Sequence, residues 1–282
     1  MVVKALEQRL SEFRELGYTI FKGVYDAGQM QEWKARYDDL VRRNTPLDAS
    51  EPRLRVTSVL EQEPWLMLPA VNNAALLDFA ERVMGPFVQL DNLTFMAFPS
   101  EPKEQAAGKV SFWHRDRWGW MPDGPHYVRP IACNAICYLQ DLTEEYGPLR
   151  VVAGSHRRAV TIESEVHRTL PHPDETVLDV KAGDVVFTHC SLLHTGTPNT
   201  SGKPRYFFST YYNRVGLPTR DNHKGPAVQR IVEMARTRND RRLARLFGVD
   251  ELIEARANSM FLKPDHEMWD KWIEEDRAAL RS

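Results

Sequence analysis

Apolar residues recur at three- and four-residue steps over 2–16, at Val3, Leu6, Leu10, Phe13 and Leu16, and Gly17 follows them. That period predicts an amphipathic helix closed by a glycine cap. Tyr18-Thr-Ile-Phe-Lys-Gly-Val is a short β-rich run, and a second helical pattern spans about 27–42 with its charges on one face. A third helix is predicted over about 71–84, ended by Gly85-Pro86. Val88 to Phe98 then alternates, which places Val88, Leu90, Asn92, Thr94, Met96 and Phe98 on one face of a strand. Polar Asn92 and Thr94 therefore share a face with apolar neighbours.

The pattern changes between 108 and 215, where short runs of Val, Ile, Phe, Tyr and Thr are broken by Gly, Pro and Asp clusters. Candidate strands are 110–115, 131–140, 149–152, 176–180, 184–189 and 205–213, with turns at Tyr146-Gly-Pro, Lys181-Ala-Gly-Asp and Pro198-Asn-Thr-Ser-Gly. Evenly spaced short strands predict a sandwich or barrel. Helical patterns return over 226–282, with starts at Asn239-Asp240 and Pro264-Asp265 and an apolar stripe of Met268, Trp269, Trp272 and Ile273. No repeat or flexible linker divides the chain. The expectation is one domain over 1–282: helical support and a first strand in 1–87, a β core in 88–215, and C-terminal helices in 216–282.

Composition narrows the function classes. With 42% hydrophobic and 27% charged residues and a net charge of -2, the chain has neither the basic excess of a nucleic-acid binder nor the bias of a disordered protein. No apolar run approaches a membrane span, and charges interrupt the first ten residues where a signal peptide needs an apolar segment. A cytoplasmic location without a membrane partner is expected. Three cysteines, Cys133, Cys137 and Cys190, make no metal-binding pair and no even disulfide set, so they read as reduced thiols. The oligomeric state is open, because the stripe at Trp269 and Trp272 suits either the protein's own core or a partner subunit.

Candidate chemistry starts at His114-Arg115-Asp116. Nine His and eighteen Asp give roughly 0.6 chance occurrences of His-x-Asp, and the chain has two, the other being His172-Pro173-Asp174. Prolines at 171 and 173 and the short spacing to His194 assign the second pair to a surface turn. For the first, residues one apart in a strand point the same way, so His114 and Asp116 could face inward together while Trp113 and Arg115 face out. A third ligand, His194, lies 78 residues beyond Asp116. His189, on the same local segment, competes with it. Two His and one carboxylate on one face of an octahedral metal leave three positions open, as in non-haem Fe(II) oxygenases. Arg205, eleven residues past His194, opens a β run. Its guanidinium is shaped to grip a distal carboxylate, and 2-oxoglutarate fits such a pair of sites.

With these residues assembled, the chain resembles the phytanoyl-CoA dioxygenase family of Fe(II)/2-oxoglutarate oxygenases. Four blocks carry the resemblance in order: Phe13 to Val24, Trp113 to Asp116, Leu139 to His156, and Gly183 through His194 to Arg205. The resemblance implies a double-stranded β-helix, the jelly roll or cupin-type barrel, mainly β with flanking helices. It also implies Fe(II) held by His114, Asp116 and His194, with 2-oxoglutarate and O2 as cosubstrates and Arg205 on the 2-oxoglutarate tail. Further cosubstrate contacts would come from Thr197, Ser209, Asn92, Thr94 and Met96. Some family members carry Gln about three residues before the first ligand, where this chain has Ser111. The substrate candidates are Trp118, Trp120 and Tyr127 in the aromatic loop after the motif, with Asn134 and Tyr138 on the next strand. His156 reads as structural.

The implied activity is oxidation, foremost hydroxylation, of a small organic substrate with release of succinate and CO2. Halogenating relatives need an open position where Asp116 stands, so the carboxylate argues for oxidation. A small hydrophobic or aromatic secondary metabolite is the expected substrate, from the Trp-rich loop. Two other classes stay open: a non-catalytic jelly roll that binds a small molecule or metal, and a Zn- or Mn-dependent isomerase or hydrolase on the same barrel.

Overall fold

The computed structural model describes residues 5–48, 50, 54–258 and 263–281; Val3, Met260 and their masked neighbours in the first and last expected helical regions lie outside these. Helix α1 (Leu6–Leu16) ends where the Gly17 N–H, in the left-handed region, bonds Phe13 O. Strand β1 (Tyr18–Phe21) follows, then α2 (Ala27–Asn44), whose first turn is capped by Asp26 accepting from Gln29 N. Next come β2 (Arg55–Val56), α3 (Val59–Gln62), α4 (Pro64–Val71), α5 (Ala74–Met84), β3 (Val88–Phe98) and α6 (Lys103–Ala106). The β region contains β4 (Ala132–Tyr138), β5 (Leu149–Val152), β6 (Glu175–Val177), β7 (Val185–His189), β8 (His194–Gly196) and β9 (Arg205–Arg214). Helices α7 (Pro226–Thr237), α8 (Arg241–Leu246), α9 (Ile253–Ala257) and α10 (Asp265–Arg281) complete the chain.

Six strands form one sheet in the order β1-β7-β4-β9-β3-β2, and three form a second in the order β6-β5-β8. The strand pattern predicted a sandwich or barrel, and the two sheets form the jelly roll that the family resemblance implied. Pleat alternation sets the faces. Ile136 and Tyr138 of β4, Val186 of β7 and Phe207 of β9 meet Leu149 and Val151 of β5 in one buried cluster. Each such side chain contributes roughly 1.5–3 kcal/mol when fully buried. The opposite face of the larger sheet is covered by the first two helices: Phe13 of α1 meets Phe187 and His189, Trp33 of α2 meets Phe208, and Tyr37 meets Phe95 and Tyr206.

The chain makes two compact units interleaved in sequence, Met1–Val56 with Thr94–Ser209, and Thr57–Leu93 with Thr210–Ser282. The first contains most of the jelly-roll strands, with β3 from Thr94 and β9 as far as Ser209, and every metal-site residue described below. In the second, helices dominate and a buried ionic cluster ties them: Arg245 bonds Asp250, Asp276 and Pro86 O, and Asp276 also accepts from Arg256. Burial opposes the charge on Asp276, but the Arg256 and Arg245 bonds outweigh it and hold the carboxyl below its usual range.

Two sequence expectations differ from the structure. No strand runs through 110–115; the one ladder position in this segment is an isolated bridge at His114. Its N–H groups alternate between two partners, Val110 and Trp113 donating to Thr169 and Arg168 carbonyls, and Ser111 and His114 to Gly196 and His194 carbonyls. The helix expected over 71–84 starts at Ala74, capped by Asn73, because a separate turn of helix, α4, precedes it.

Candidate metal centre

The His114 and His194 backbones exchange both hydrogen bonds, each N–H to the other's carbonyl at 3.0 Å. Ligand-type atoms of His114, Asp116 and His194 consequently converge, all within 4.8 Å of one another. Asp116 is held from behind by its own N–H on Cys190 O at 3.0 Å, and its Oδ1 lies 3.9 Å from His194 Nε2. The imidazoles are oriented alike. Nδ1 of His114 bonds Phe112 O at 2.9 Å, and Nδ1 of His194 bonds Leu192 O at 2.9 Å. A carbonyl can only accept, so each ring carries its proton on Nδ1 and leaves Nε2 as its free ligand atom. Desolvation, then the neighbouring His194, lowers the His114 pKa to about 4, which favours a neutral ring near neutrality.

Arg115, between the two ligands of the motif, was expected only to face out. It does more: its guanidinium donates to the carbonyls of Ser155 and Ser191, and more weakly to Val160 O. The segment bearing His114 and Asp116 is thereby tied to the turn that leads into His194. Ser155 Oγ accepting from Leu193 N and Thr195 Oγ1 accepting from Phe112 N add to the same clasp. None of these residues carries a sequence signal, since their partners are backbone atoms far along the chain.

Arg205, 3% exposed at the start of β9, occupies the same unit. Its Nη1 donates to three carbonyls, those of Tyr146, Gly147 and Thr197. Nε is buried with no partner among the described residues. Gly147 permits this cradle: at φ 76 a Cβ there would lie 2.7 Å from Arg205 Nη1 and 2.3 Å from Thr197 O. On the other side, a Cβ built on Gly196 would lie 3.2 Å from Arg205 Nη2 and 3.6 Å from Ser111 Oγ, so both groups flank the short strand that begins at His194. One edge of the guanidinium is fixed to the protein and the other is left with donors. That is the form of a carboxylate grip.

The remaining candidates separate. Ser209 is buried on the Arg205–Phe207 face of β9, and Tyr138 packs on Phe207. Thr94 and Asn92 are buried, while Met96 packs against the interior cluster and Phe98 stacks on Phe207. The Thr197 hydroxyl donates to Pro148 O and accepts from Arg150 Nε. Asn134 is not simply a pocket-lining group, because its Nδ2 donates to Asp116 Oδ2 at 3.2 Å.

Trp120 and Tyr127 of the loop lie against β7. Their rings pack on His189 at 5.8 and 6.2 Å, and Tyr127 also on His156. β7 pleating explains it: Val186 lies in the interior cluster, whereas Phe187 and His189 meet Phe13 of α1 on the opposite face. His189 is thereby also removed from competition with His194. Its Nδ1 accepts from Ser191 N and its Nε2 donates to Val128 O, and burial lowers its pKa to about 3. His156 is structural, bonding Arg14 O of α1, and His172 accepts from Asp174 N in its turn. Trp118 has φ 66, a conformation unfavourable for a bulky residue, in the turn closed by Gly119 N on Asp116 O; its Nε1 is buried without a partner among the described residues.

Across residues 13–207 the sequence matches the family described as Phytanoyl-CoA dioxygenase (PhyH). The chain belongs to this family. The stretch that matches the ectoine dioxygenase of Bordetella parapertussis is 30% identical over 131 residues, 38% of this chain and 42% of that protein. The match to L-proline trans-4-hydroxylase of Streptomyces griseoviridis is 30% over 168 residues, 50% of this chain and 60% of that enzyme. The chain thus spans about half the length of these curated relatives. Among solved structures, the epimerase SnoN in complex with Fe3+, alpha ketoglutarate and nogalamycin RO superposes with a TM-score of 0.56 at 21% identity, over 74% of this chain and 84% of that one. At that identity the likeness supports the jelly-roll fold alone.

Proposed function

We propose that this family member is an Fe(II)- and 2-oxoglutarate-dependent dioxygenase that oxidises, foremost by hydroxylation, a small organic molecule of secondary metabolism. The carrying observation is the pairing of two differently built sites: a His-Asp-His cluster in which both histidine Nδ1 atoms bond carbonyls and leave Nε2 as the free ring nitrogen, and a buried arginine with one edge bound to carbonyls and Nε lacking a partner among the described residues. The first suits a divalent cation and the second a carboxylate. 2-Oxoglutarate presents a metal-chelating end and a carboxylate end.

In this reading His114, Asp116 and His194 would hold Fe(II). The metal, with 2-oxoglutarate and O2, supplies the oxidising chemistry that yields succinate, CO2 and the oxidised product. The chain's own residues orient and exclude. Nδ1 of each histidine stays bonded to a carbonyl, so the ligands need no reorganisation on binding. Arg205 fixes the cosubstrate tail, Ser111 and Ser209 flank it, and Tyr138 and Phe207 keep its surroundings dry. Trp118, two residues past Asp116, is the substrate contact retained from the loop. A soluble, cytoplasmic setting agrees with the finding that no helix among the described residues is long and apolar enough to cross a membrane. The ectoine and proline enzymes named above act on small polar molecules, which widens the expected substrates beyond hydrophobic ones.

The test is anaerobic addition of Fe(II) and 2-oxoglutarate to the metal-free protein. A visible charge-transfer band, followed by succinate on admission of air, supports the proposal. Neither band nor succinate in protein that has bound metal refutes it and favours a structural or hydrolytic metal site.

A further inference from the structure

The two carboxylate oxygens of Asp116 face different groups. Oδ1 lies toward His194 Nε2 at 3.9 Å, and Oδ2 accepts from Asn134 Nδ2 at 3.2 Å. Asn134 is 1% exposed and sits mid-strand in β4, flanked in the sheet by β7 and β9. Its register partner is Thr188, whose hydroxyl donates to the Asn134 carbonyl. The amide orientation follows from chemistry, because the flipped amide would press Oδ1 against a carboxylate oxygen. In the retained orientation Oδ1 is buried with no partner among the described residues. A buried, unmatched acceptor is unfavourable, and an apolar residue of the same shape would avoid it. The position therefore carries a group that is poor for packing, and Nδ2 is the amide atom that has a partner.

Resting on the proposed Fe(II) site, we propose that Asn134 is a positioning residue that holds Asp116 as a one-oxygen ligand. A carboxylate free to turn can grip a metal through both oxygens and occupy two positions of an octahedron. With Oδ2 drawn toward β4, only Oδ1 is presented. Three adjacent positions then stay open, the number needed for a two-point cosubstrate and dioxygen. The strand supplies the rigidity, and the cost is the unmatched Oδ1.

Mn(II) alone is the probe, in native protein and in Asn134→Leu, which keeps shape and removes the donor. Three readouts are taken: Mn(II) affinity, the number of metal-bound waters from the broadening of the Mn(II) EPR spectrum in 17O-water, and thermal melting without metal. The expected result is Mn(II) affinity weakened about 10- to 100-fold in the variant, as for other groups that orient metal ligands. Bound waters fall from three to two as the carboxylate closes on the metal, and metal-free melting stays within a few degrees of native. Unchanged Mn(II) affinity and water count overturn the proposal, and so does a large fall in metal-free melting, which marks Asn134 as merely structural. Failure of the native protein to bind Mn(II) instead overturns the metal-site reading itself.

Discussion

Removing the grip of Arg205 should weaken 2-oxoglutarate binding by an amount that disappears when the cosubstrate lacks its distal carboxylate. Nη1 is occupied by three carbonyls, so the free edge consists of Nε and Nη2, two donors for two carboxylate oxygens. A charge-assisted hydrogen bond contributes about 1.5–3 kcal/mol net, so a two-bond grip in a buried site is worth about 3–6 kcal/mol. At 1.4 kcal/mol per tenfold, that is a Kd increase of roughly 10²- to 10⁴-fold for Arg205→Ala. The variant also strips a donor from three carbonyls, so its raw Kd change mixes two effects. A thermodynamic cycle separates them. Native and Arg205→Ala proteins are titrated anaerobically, with Fe(II) bound, with 2-oxoglutarate and with 2-oxobutyrate, which keeps the chelating end and lacks the distal carboxylate. The charge-transfer absorbance reports binding. Native protein should prefer 2-oxoglutarate by at least 100-fold, and the variant should bind both within about threefold of each other. An equal preference in native and variant proteins, with Fe(II) still bound, would falsify the assignment of Arg205 to the cosubstrate tail.

Three further outcomes follow from the structure. Asp116→Ala and His194→Ala should each abolish Fe(II) binding and succinate formation, while His189→Gln should keep both; metal affinity lost in His189→Gln and kept in His194→Ala would reverse the ligand assignment. His156 is buried neutral with its pKa lowered from 6.5 to about 4, chiefly by burial. The unfolded chain therefore takes up a proton that the folded one refuses, so stability is full above about pH 6.5 and declines as pH falls toward 4, by at most about 3 kcal/mol from this group. Melting of metal-free protein across that window should fall, and His156→Gln should flatten the slope; parallel curves would contradict it. Asp276→Asn leaves Arg245 and Arg256 with a neutral partner and should cost about 3–5 kcal/mol in denaturant unfolding. A loss under about 1 kcal/mol would mean the cluster is dispensable.

Much of the site was readable because its ligands lie on a strict local pattern. His114 and Asp116 are two apart, and His194 and Arg205 bracket a turn. Alternation placed β3 at its true ends and β5 within its four residues. What escaped the sequence is made by backbone atoms. The clasp of Arg115 on Ser155 and Ser191 carbonyls has no residue signature, because any residue type offers a carbonyl. The segment 110–116 looked like a strand since its residues are β-formers, yet its N–H groups divide between two partners and no ladder forms. The seating of Trp120 and Tyr127 on His189 was likewise not legible in the sequence. A one-residue phase in β7 sends His189, and the rings packed on it, to the face under α1. Asn134 was readable as inward-facing, but its bond to Asp116 depends on a side-chain distance that pattern cannot supply.

The central claim, that one site holds both Fe(II) and 2-oxoglutarate for oxidation, is tested most directly by stopped-flow spectroscopy of the reconstituted protein. Anaerobic Fe(II) and 2-oxoglutarate should produce a visible charge-transfer band that decays on mixing with O2, with succinate formed in step. A protein that binds Fe(II) but shows neither the band nor succinate would contradict the account.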